Sequence, residues 1–106
     1  MRKIKVIIKR PDEPAGHVTN ISASMENLQR TVGGYIETIF VRKDMVILVN
    51  EEAKISMTPE DDNFFIPGDV VRGTAIICGF DGEEFTDVPI PLSFWKDYLR
   101  EWRNCV

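Results

Sequence analysis

Residues 33–52 constrain the fold of this chain more than any other stretch. Two consecutive glycines, Gly33 and Gly34, end a helical pattern, and two strand patterns follow at once. The second of these, residues 45–49, is a continuous apolar run, which is typical of a central strand covered on both faces. The segment therefore predicts a helix, a sharp turn and a β-hairpin whose second strand lies inside a sheet.

The N-terminal residues predict another β-hairpin. Three apolar residues alternate with lysines: Ile4, Val6 and Ile8. This period of two indicates a strand with one buried and one basic face, and Ile7 indicates that part of the outer face is also covered. After a loop rich in proline and glycine, residues 18–21 predict the partner strand.

Two helices are predicted from caps and apolar periodicity. Ser24 is expected to cap the first, which ends at Gly33 and has the apolar stripe Met25, Leu28 and Val32. Ser93 is expected to cap the second. Its apolar stripe is mainly aromatic and consists of Trp95, Tyr98, Leu99 and Trp102.

Residues 50–69 have no regular pattern and are expected to form a loop. Within it, residues 58–61 predict one or two helical turns, and residues 64–66 are expected to anchor the loop to the core. Residues 70–80 predict the longest strand. A hairpin turn and a short return strand at residues 84–88 follow.

These patterns predict an α+β fold. We expect a mainly antiparallel sheet of about five to six strands, with two main helices packed on one side of it. The 106 residues are expected to form a single domain, 1–106. A hydrophobic content of 43% and a charged content of 28% are typical of a globular protein.

The sequence predicts a cytoplasmic protein with no membrane partner. No apolar run approaches the roughly 20 residues that cross a bilayer, and the basic start alternates with apolar residues, unlike a signal peptide. Cys78 lies in a predicted core strand and Cys105 near the C-terminus. Both are interpreted as reduced thiols.

Charge is segregated along the chain. The first ten residues are basic, whereas residues 51–69 and 81–87 are acidic, and the net charge is −4. The acidic segments are interpreted either as solvated loops or as a face that meets a basic partner. No nucleic-acid partner is expected, because the chain has neither a basic helix nor the mixed aromatic and basic motif of RNA-binding sheets.

Few residues carry recognisable catalytic chemistry, and no cofactor or metal site is predicted. His17 is the only histidine, Cys78 is expected to be an inert buried thiol, and no second ligand has metal-binding spacing. Gly33 and Gly34 follow a helix and precede a strand, the reverse of a phosphate-binding loop. Catalysis would require a spatial cluster around His17 or Glu37.

The candidate binding residues lie at the end of the central strand. Asn50, Glu51 and Glu52 are interpreted either as a solvated turn or as a site for a cation, a basic side chain or a ribose hydroxyl. The sequence indicates no backbone role for them. Glu37 on the partner strand is expected nearby and, if it faces inward, would need a partner such as Arg72 or Lys54.

The last helix has an unusual aromatic load. Trp95, Tyr98 and Trp102 are interpreted either as core residues or as a partly exposed stripe that forms a homodimer or binds another protein.

Three blocks of sequence resemble a small uncharacterised family carried by bacteriophages, plasmids and conjugative elements. The blocks are Leu28-Gln29-x-x-Val32-Gly33-Gly34-Tyr35-Ile36-Glu37, Asn50-Glu51-Glu52-x-Lys54 and Gly73-Thr74-Ala75-x-x-x-Gly79. The resemblance spans roughly residues 3–100. The chain departs from it at Ala53, where members usually have Gly, and at the proline-rich residues 89–91. It implies an intracellular accessory role in a mobile element and no established activity.

Two hypotheses follow. The preferred one is a non-enzymatic protein-binding module, with counter-defence as one possible role. The alternative is a protein that binds or sequesters a nucleotide-type small ligand near Asn50 and Glu51. A hydrolase is a distant third.

Overall fold

The computed structural model describes residues 2–104 and is built around an antiparallel sheet that is covered on both faces. In chain order the elements are β1 (Lys3–Lys9), β2 (His17–Ser22), α1 (Met25–Val32), β3 (Ile36–Arg42), β4 (Met45–Asn50), α2 (Ala53–Ser56), β5 (Asp62–Ile66), β6 (Asp69–Arg72), β7 (Ala75–Phe80), β8 (Phe85–Thr86) and α3 (Leu92–Arg103). A 3₁₀ turn at Pro59–Asp61 precedes β5.

The main sheet confirms the predicted fold class. Its strand order is β2-β1-β7-β4-β3, and β8 pairs with the end of β7 as a sixth strand. Every pairing is antiparallel. Both predicted hairpins, β1–β2 and β3–β4, are present, and every residue of β4 is buried, as its apolar run predicted.

The two main helices lie on opposite faces of the sheet, so the prediction that they share one side is wrong. Leu28 and Val32 of α1 pack with Ile4, Val6 and Ile8 on one face. Trp95 and Leu99 of α3 pack with Ile7 on the other. The physical reason is that β1 and β4 bury side chains on both faces of the sheet. Each face therefore needs its own covering layer.

The predicted strand at residues 70–80 is in fact two strands in different sheets. Gly73 separates β6 from β7 and has a φ of 78°, a left-handed conformation that favours glycine. A Cβ atom there would lie 2.8 Å from the Met57 side chain. Strand β6 instead pairs with β5 in a two-stranded sheet, so much of the expected loop at residues 50–69 is a hairpin.

The β5–β6 hairpin is attached to the core through buried apolar side chains and a hydrogen-bond network around Lys9. The predicted anchoring by residues 64–66 is confirmed by Phe64, whose ring meets Trp95 edge-on with centroids 5.4 Å apart. On β1, Lys9 is only 3% exposed, and its Nζ donates to Asn63 Oδ1 at 2.6 Å and to the Glu13 carbonyl at 2.7 Å. Asn63 Nδ2 donates in return to the carbonyls of Lys9 and Gly73, both at 2.8 Å. Burial lowers the pKa of Lys9.

The helix ends agree with prediction for α1 and differ for α3. Ser24 caps α1 by accepting the Asn27 N–H at 3.2 Å, and Gly33 ends it in the left-handed conformation. Helix α3 begins one residue before Ser93, because the Pro91 carbonyl accepts the first two backbone hydrogen bonds of the helix, from the N–H groups of Phe94 and Trp95. Ser93 is therefore a residue of the first turn and not the cap.

Candidate functional site

Asn50 closes β4 and shapes the turn that follows it. Its side chain is only 8% exposed, and Oδ1 accepts the backbone N–H of Glu52 at 2.9 Å. The Glu51 N–H donates to the Tyr35 carbonyl at 2.8 Å and so ties the same turn to the start of β3. The expectation that this segment has no backbone role is wrong, because an Asn side chain bonded two residues ahead is itself a turn-forming contact.

The Asn50 side chain lies directly against Gly34. A Cβ atom at residue 34 would lie 3.0 Å from both Nδ2 and Oδ1 of Asn50. Gly34 does not have a positive φ, so space for the amide, and not backbone conformation, accounts for this glycine. The glycine pair and the Asn-Glu-Glu segment, which are separate in sequence, thus form one packed unit.

One half of the Asn50 amide has no partner. Because Oδ1 accepts the Glu52 N–H, the other amide atom is the Nδ2 donor. No protein acceptor for Nδ2 lies within hydrogen-bond distance among residues 2–104, and the atom is open to solvent. Asn50 lines a surface groove, so this donor is available to a molecule that occupies the groove.

We call this surface the β3–β4 groove. It has a volume of about 730 Å³ and is lined by Glu26, Gln29, Arg30, Gly33, Gly34, Tyr35, Asn50, Glu52 and Ser56. Most of these residues are exposed, and only Asn50 among them is buried. The Tyr35 side chain is 67% exposed, and Ile55, the neighbour of Ser56 in α2, is 87% exposed. The groove is open and combines polar groups with exposed apolar surface.

Four of the five predicted site residues converge on a second, smaller cavity beneath the same turn. Glu37, Asn50, Glu51 and Arg72 all line it, whereas Glu52 lines the β3–β4 groove. Its volume is about 70 Å³, room for about two waters. The structure therefore brings these four residues together, but the space they enclose is far below the several hundred Å³ of a nucleotide pocket.

The charges around these cavities are unevenly compensated. Arg72 Nε pairs with Asp62 Oδ1 at 2.7 Å, and Lys54 pairs with Asp69, whose pKa is lowered by that hydrogen bond and by the Val70 N–H. Three carboxylates have no ion-pair partner in the part of the chain that the structure describes: Glu37, Glu51 and Glu52. All three are exposed, so the end of β4 carries excess negative charge.

His17 and Cys78 do not join this site. His17 lies in edge strand β2, across the sheet from Glu37 in β3, and its Nδ1 is 2.8 Å from Glu13 Oε2. This hydrogen bond lowers the pKa of Glu13. Cys78 is buried, and desolvation raises the pKa of its thiol to about 12. Cys105 lies outside the described residues.

The aromatic stripe of α3 divides between core and surface. Trp95 is fully buried, and its Nε1 donates to the Ala15 carbonyl at 3.1 Å, so it offers no surface to a partner. Tyr98 and Trp102 are partly exposed and line a groove of about 290 Å³ together with Ile39 and Ile66. Of the three predicted interface residues, only Tyr98 and Trp102 therefore present surface to a partner.

Two further properties concern metals and membranes. Within residues 2–104, no three His, Cys, Asp or Glu side chains are grouped as a metal-binding cluster. None of the helices in that same range has the length and apolar character of a bilayer-spanning helix.

Sequence reasoning missed Tyr35 and Gln29 as lining residues of the β3–β4 groove. Both belong to the block that carries the family resemblance, but their spacing alone does not show that they flank Asn50. The sequence signal that could have identified the groove is Tyr35, which follows the glycine pair directly at the point where α1 and β3 meet.

Comparison with known proteins gives one match. The family model described as a domain of unknown function (DUF3846) matches residues 4–101. No curated protein and no solved structure matches the chain. The match spans nearly the whole chain and includes every residue that lines the β3–β4 groove. The chain therefore belongs to the DUF3846 family, a domain of unknown function.

Proposed function

We propose that this protein is a non-enzymatic binding module that uses the β3–β4 groove to hold a protein partner. The observation that supports this most directly is the Asn50 amide, which is buried by packing yet has an unused donor at the groove. This donor is held in position by the rest of the side chain and is open to solvent, so a partner that supplies an acceptor gains a hydrogen bond at little ordering cost.

The openness of the groove favours a macromolecule over an enclosed small ligand. Small-molecule sites usually bury most of the ligand surface, whereas most residues around this groove are exposed. Tyr35 provides an exposed aromatic ring within it. Tyrosine is also among the residues that most often anchor protein interfaces.

We place this module inside the cell as an accessory protein of a phage or other mobile element, with counter-defence as one role. The resemblance of the residue 28–37 and 50–54 blocks to a mobile-element family supports that context. The buried, free thiol of Cys78 is compatible with a reducing compartment.

The test compares the partners captured by matched surface variants. Tyr35→Ala removes an exposed ring at the groove, and Phe94→Ala removes a similarly exposed ring from α3. Each version of the protein is cross-linked to its partners in the native host and purified. Proteins that are recovered with the wild type and with Phe94→Ala should be lost with Tyr35→Ala. Equal recovery of every protein by both variants would show that the groove is not the binding surface.

A small nucleotide-type ligand is the second candidate, since about 730 Å³ is within the range of ligand pockets. A ligand that binds only the native state raises stability in proportion to ln(1 + [L]/Kd). A nucleotide panel should then raise the melting temperature of the wild type more than that of Tyr35→Ala. No difference between the two proteins would remove this candidate.

A further inference from the structure

We propose that the β3–β4 groove recognises an arginine side chain of an extended peptide segment, with the Asn50 amide donating to a peptide carbonyl beside it. This inference rests on the proposed binding function and specifies the chemistry of the partner. It combines three properties of the groove: uncompensated negative charge, an exposed aromatic ring and the Asn50 donor, which is held in place and open to solvent.

The charge of the groove favours a cation. Glu52 is exposed and has no cationic partner within residues 2–104, whereas Arg30, the positive side chain of the groove, already pairs with Glu26 at 2.9 Å. The C-terminal end of α1 also meets the groove at Gly33. A helix C-terminus carries partial negative charge, which adds to the attraction.

The aromatic ring favours a guanidinium over a compact ion. Tyr35 is 67% exposed and lies in the same groove as Glu52. A guanidinium group can stack on an aromatic face and present paired donors to a carboxylate at the same time. Glu51 and Glu52 line different cavities, and within residues 2–104 no three His, Cys, Asp or Glu side chains are grouped as a metal-binding cluster.

The Asn50 donor favours a peptide over a free organic cation. Nδ2 is a donor and pairs only with an acceptor, and ammonium and guanidinium groups carry none. A peptide backbone supplies a carbonyl next to every side chain. Asn50 is 8% exposed and fixed through Oδ1 and Gly34, so its donor direction is set before the partner arrives.

The experiment selects binders from a random displayed peptide library on the immobilised protein. Enriched peptides should contain arginine and should bind Glu52→Gln about three- to fivefold more weakly, as expected for one partly exposed ion pair. Glu83→Gln is the matched control, because Glu83 is an exposed carboxylate in the turn before β8. This control should bind as the wild type does.

Nuclear magnetic resonance of the complex provides a second readout. Binding should shift the side-chain amide resonances of Asn50 and leave those of Asn63 unchanged, because both Asn63 amide protons are already bonded to carbonyls. Spermidine and Mg²⁺, added at matched ionic strength, should not reproduce the Asn50 shift.

The possible failures are distinguishable. Enriched peptides that need Tyr35 but lack arginine, or an equal response to spermidine or Mg²⁺, would overturn the arginine assignment and leave the binding module standing. If no enriched peptide loses affinity for the Tyr35→Ala protein, both the assignment and the proposed function fail.

Discussion

Asn50 is the residue on which the packing of the site depends. Its Oδ1 holds the turn after β4, its amide plane lies against Gly34, and its Nδ2 is exposed to the β3–β4 groove. The sequence suggests that Gly34 supplies the backbone freedom for a sharp turn. In the structure, the close approach of the Asn50 side chain explains this glycine better. The two positions are therefore expected to be energetically coupled.

The first prediction measures this coupling. Gly34→Ala should lower the free energy of unfolding by about 1–2 kcal/mol, because the new methyl group meets the Asn50 amide. In an Asn50→Ala background the same change should be neutral or mildly stabilising, since alanine restricts the unfolded chain. Urea unfolding of all four proteins measures the difference. Equal costs in both backgrounds would show that the contact is unimportant.

A second prediction concerns the turn before β8. Asp81 Oδ1 accepts the N–H groups of Glu84 and Glu83, each at 2.9 Å, and these bonds lower the pKa of Asp81 below its ordinary 3.8. A carboxylate with a lowered pKa in the folded state stabilises the fold above its unfolded pKa. That contribution disappears as the pH falls through the folded-state value.

Asp81→Asn should therefore flatten the dependence of unfolding free energy on pH below about 4. Glu83→Gln is the control, since in the described part of the chain the Glu83 side chain accepts no hydrogen bond. Chemical unfolding at a series of acidic pH values measures both slopes. An unchanged slope in Asp81→Asn would mean that other carboxylates dominate acid sensitivity.

At the scale of elements, the β5–β6 hairpin is attached to α3 and to the main sheet mainly through its side chains. Phe64 packs on Trp95, and Asn63 bonds to Lys9. An element held in this way can open as a unit while the main sheet stays intact. Loss of the contact between Asn63 and Lys9 should therefore loosen this hairpin first.

Asn63→Ala should lower stability by about 1–3 kcal/mol, because buried groups around Lys9 lose their partner. Hydrogen exchange should show the largest loss of protection in β5 and β6. Asn20→Ala, an exposed asparagine on β2, is the control. Equal loss of protection in β7 would show that the hairpin is not a separate unit.

Local elements were predictable from the sequence, and their long-range arrangement was not. Alternation, caps and the apolar run identified β1–β2, α1 and β3–β4, because each depends on neighbouring residues. Gly73 lies among β-forming residues, so nothing local marked it as the boundary between two sheets. Likewise, Asn50 was identified as a candidate, whereas its contact with Gly34 requires knowledge of how β4 ends beside α1.

For the whole molecule, the sheet is stable only if both of its faces are covered. Helix α1 covers one face, while α3 and the β5–β6 hairpin cover the other. Trp95 is the largest fully buried side chain and contacts Phe64, Tyr98 and Trp102. The aromatic helix is thus explained first as core, and the two partly exposed rings remain a separate question.

Trp95→Ala should lower the free energy of unfolding by about 3–5 kcal/mol, since it leaves a large cavity under α3. Phe94→Ala, one residue earlier and 58% exposed, should change it by less than about 0.5 kcal/mol. Thermal and urea unfolding compare the two variants. Similar effects would mean that α3 does not close the core through Trp95.

The order of strands also bears on how the chain folds during its synthesis. Strand β7 enters between β1 and β4, so the two earlier hairpins share no neighbouring strand until Phe80 has left the ribosome. We expect stalled nascent chains that expose only residues 1–74 to be digested by added protease, and chains that expose residues 1–104 to resist it. Resistance in the shorter chains would contradict this. The centre of the sheet is therefore completed late in translation. A ribosomal pause after β4 would prolong the stage at which the nascent chain is most susceptible to proteolysis.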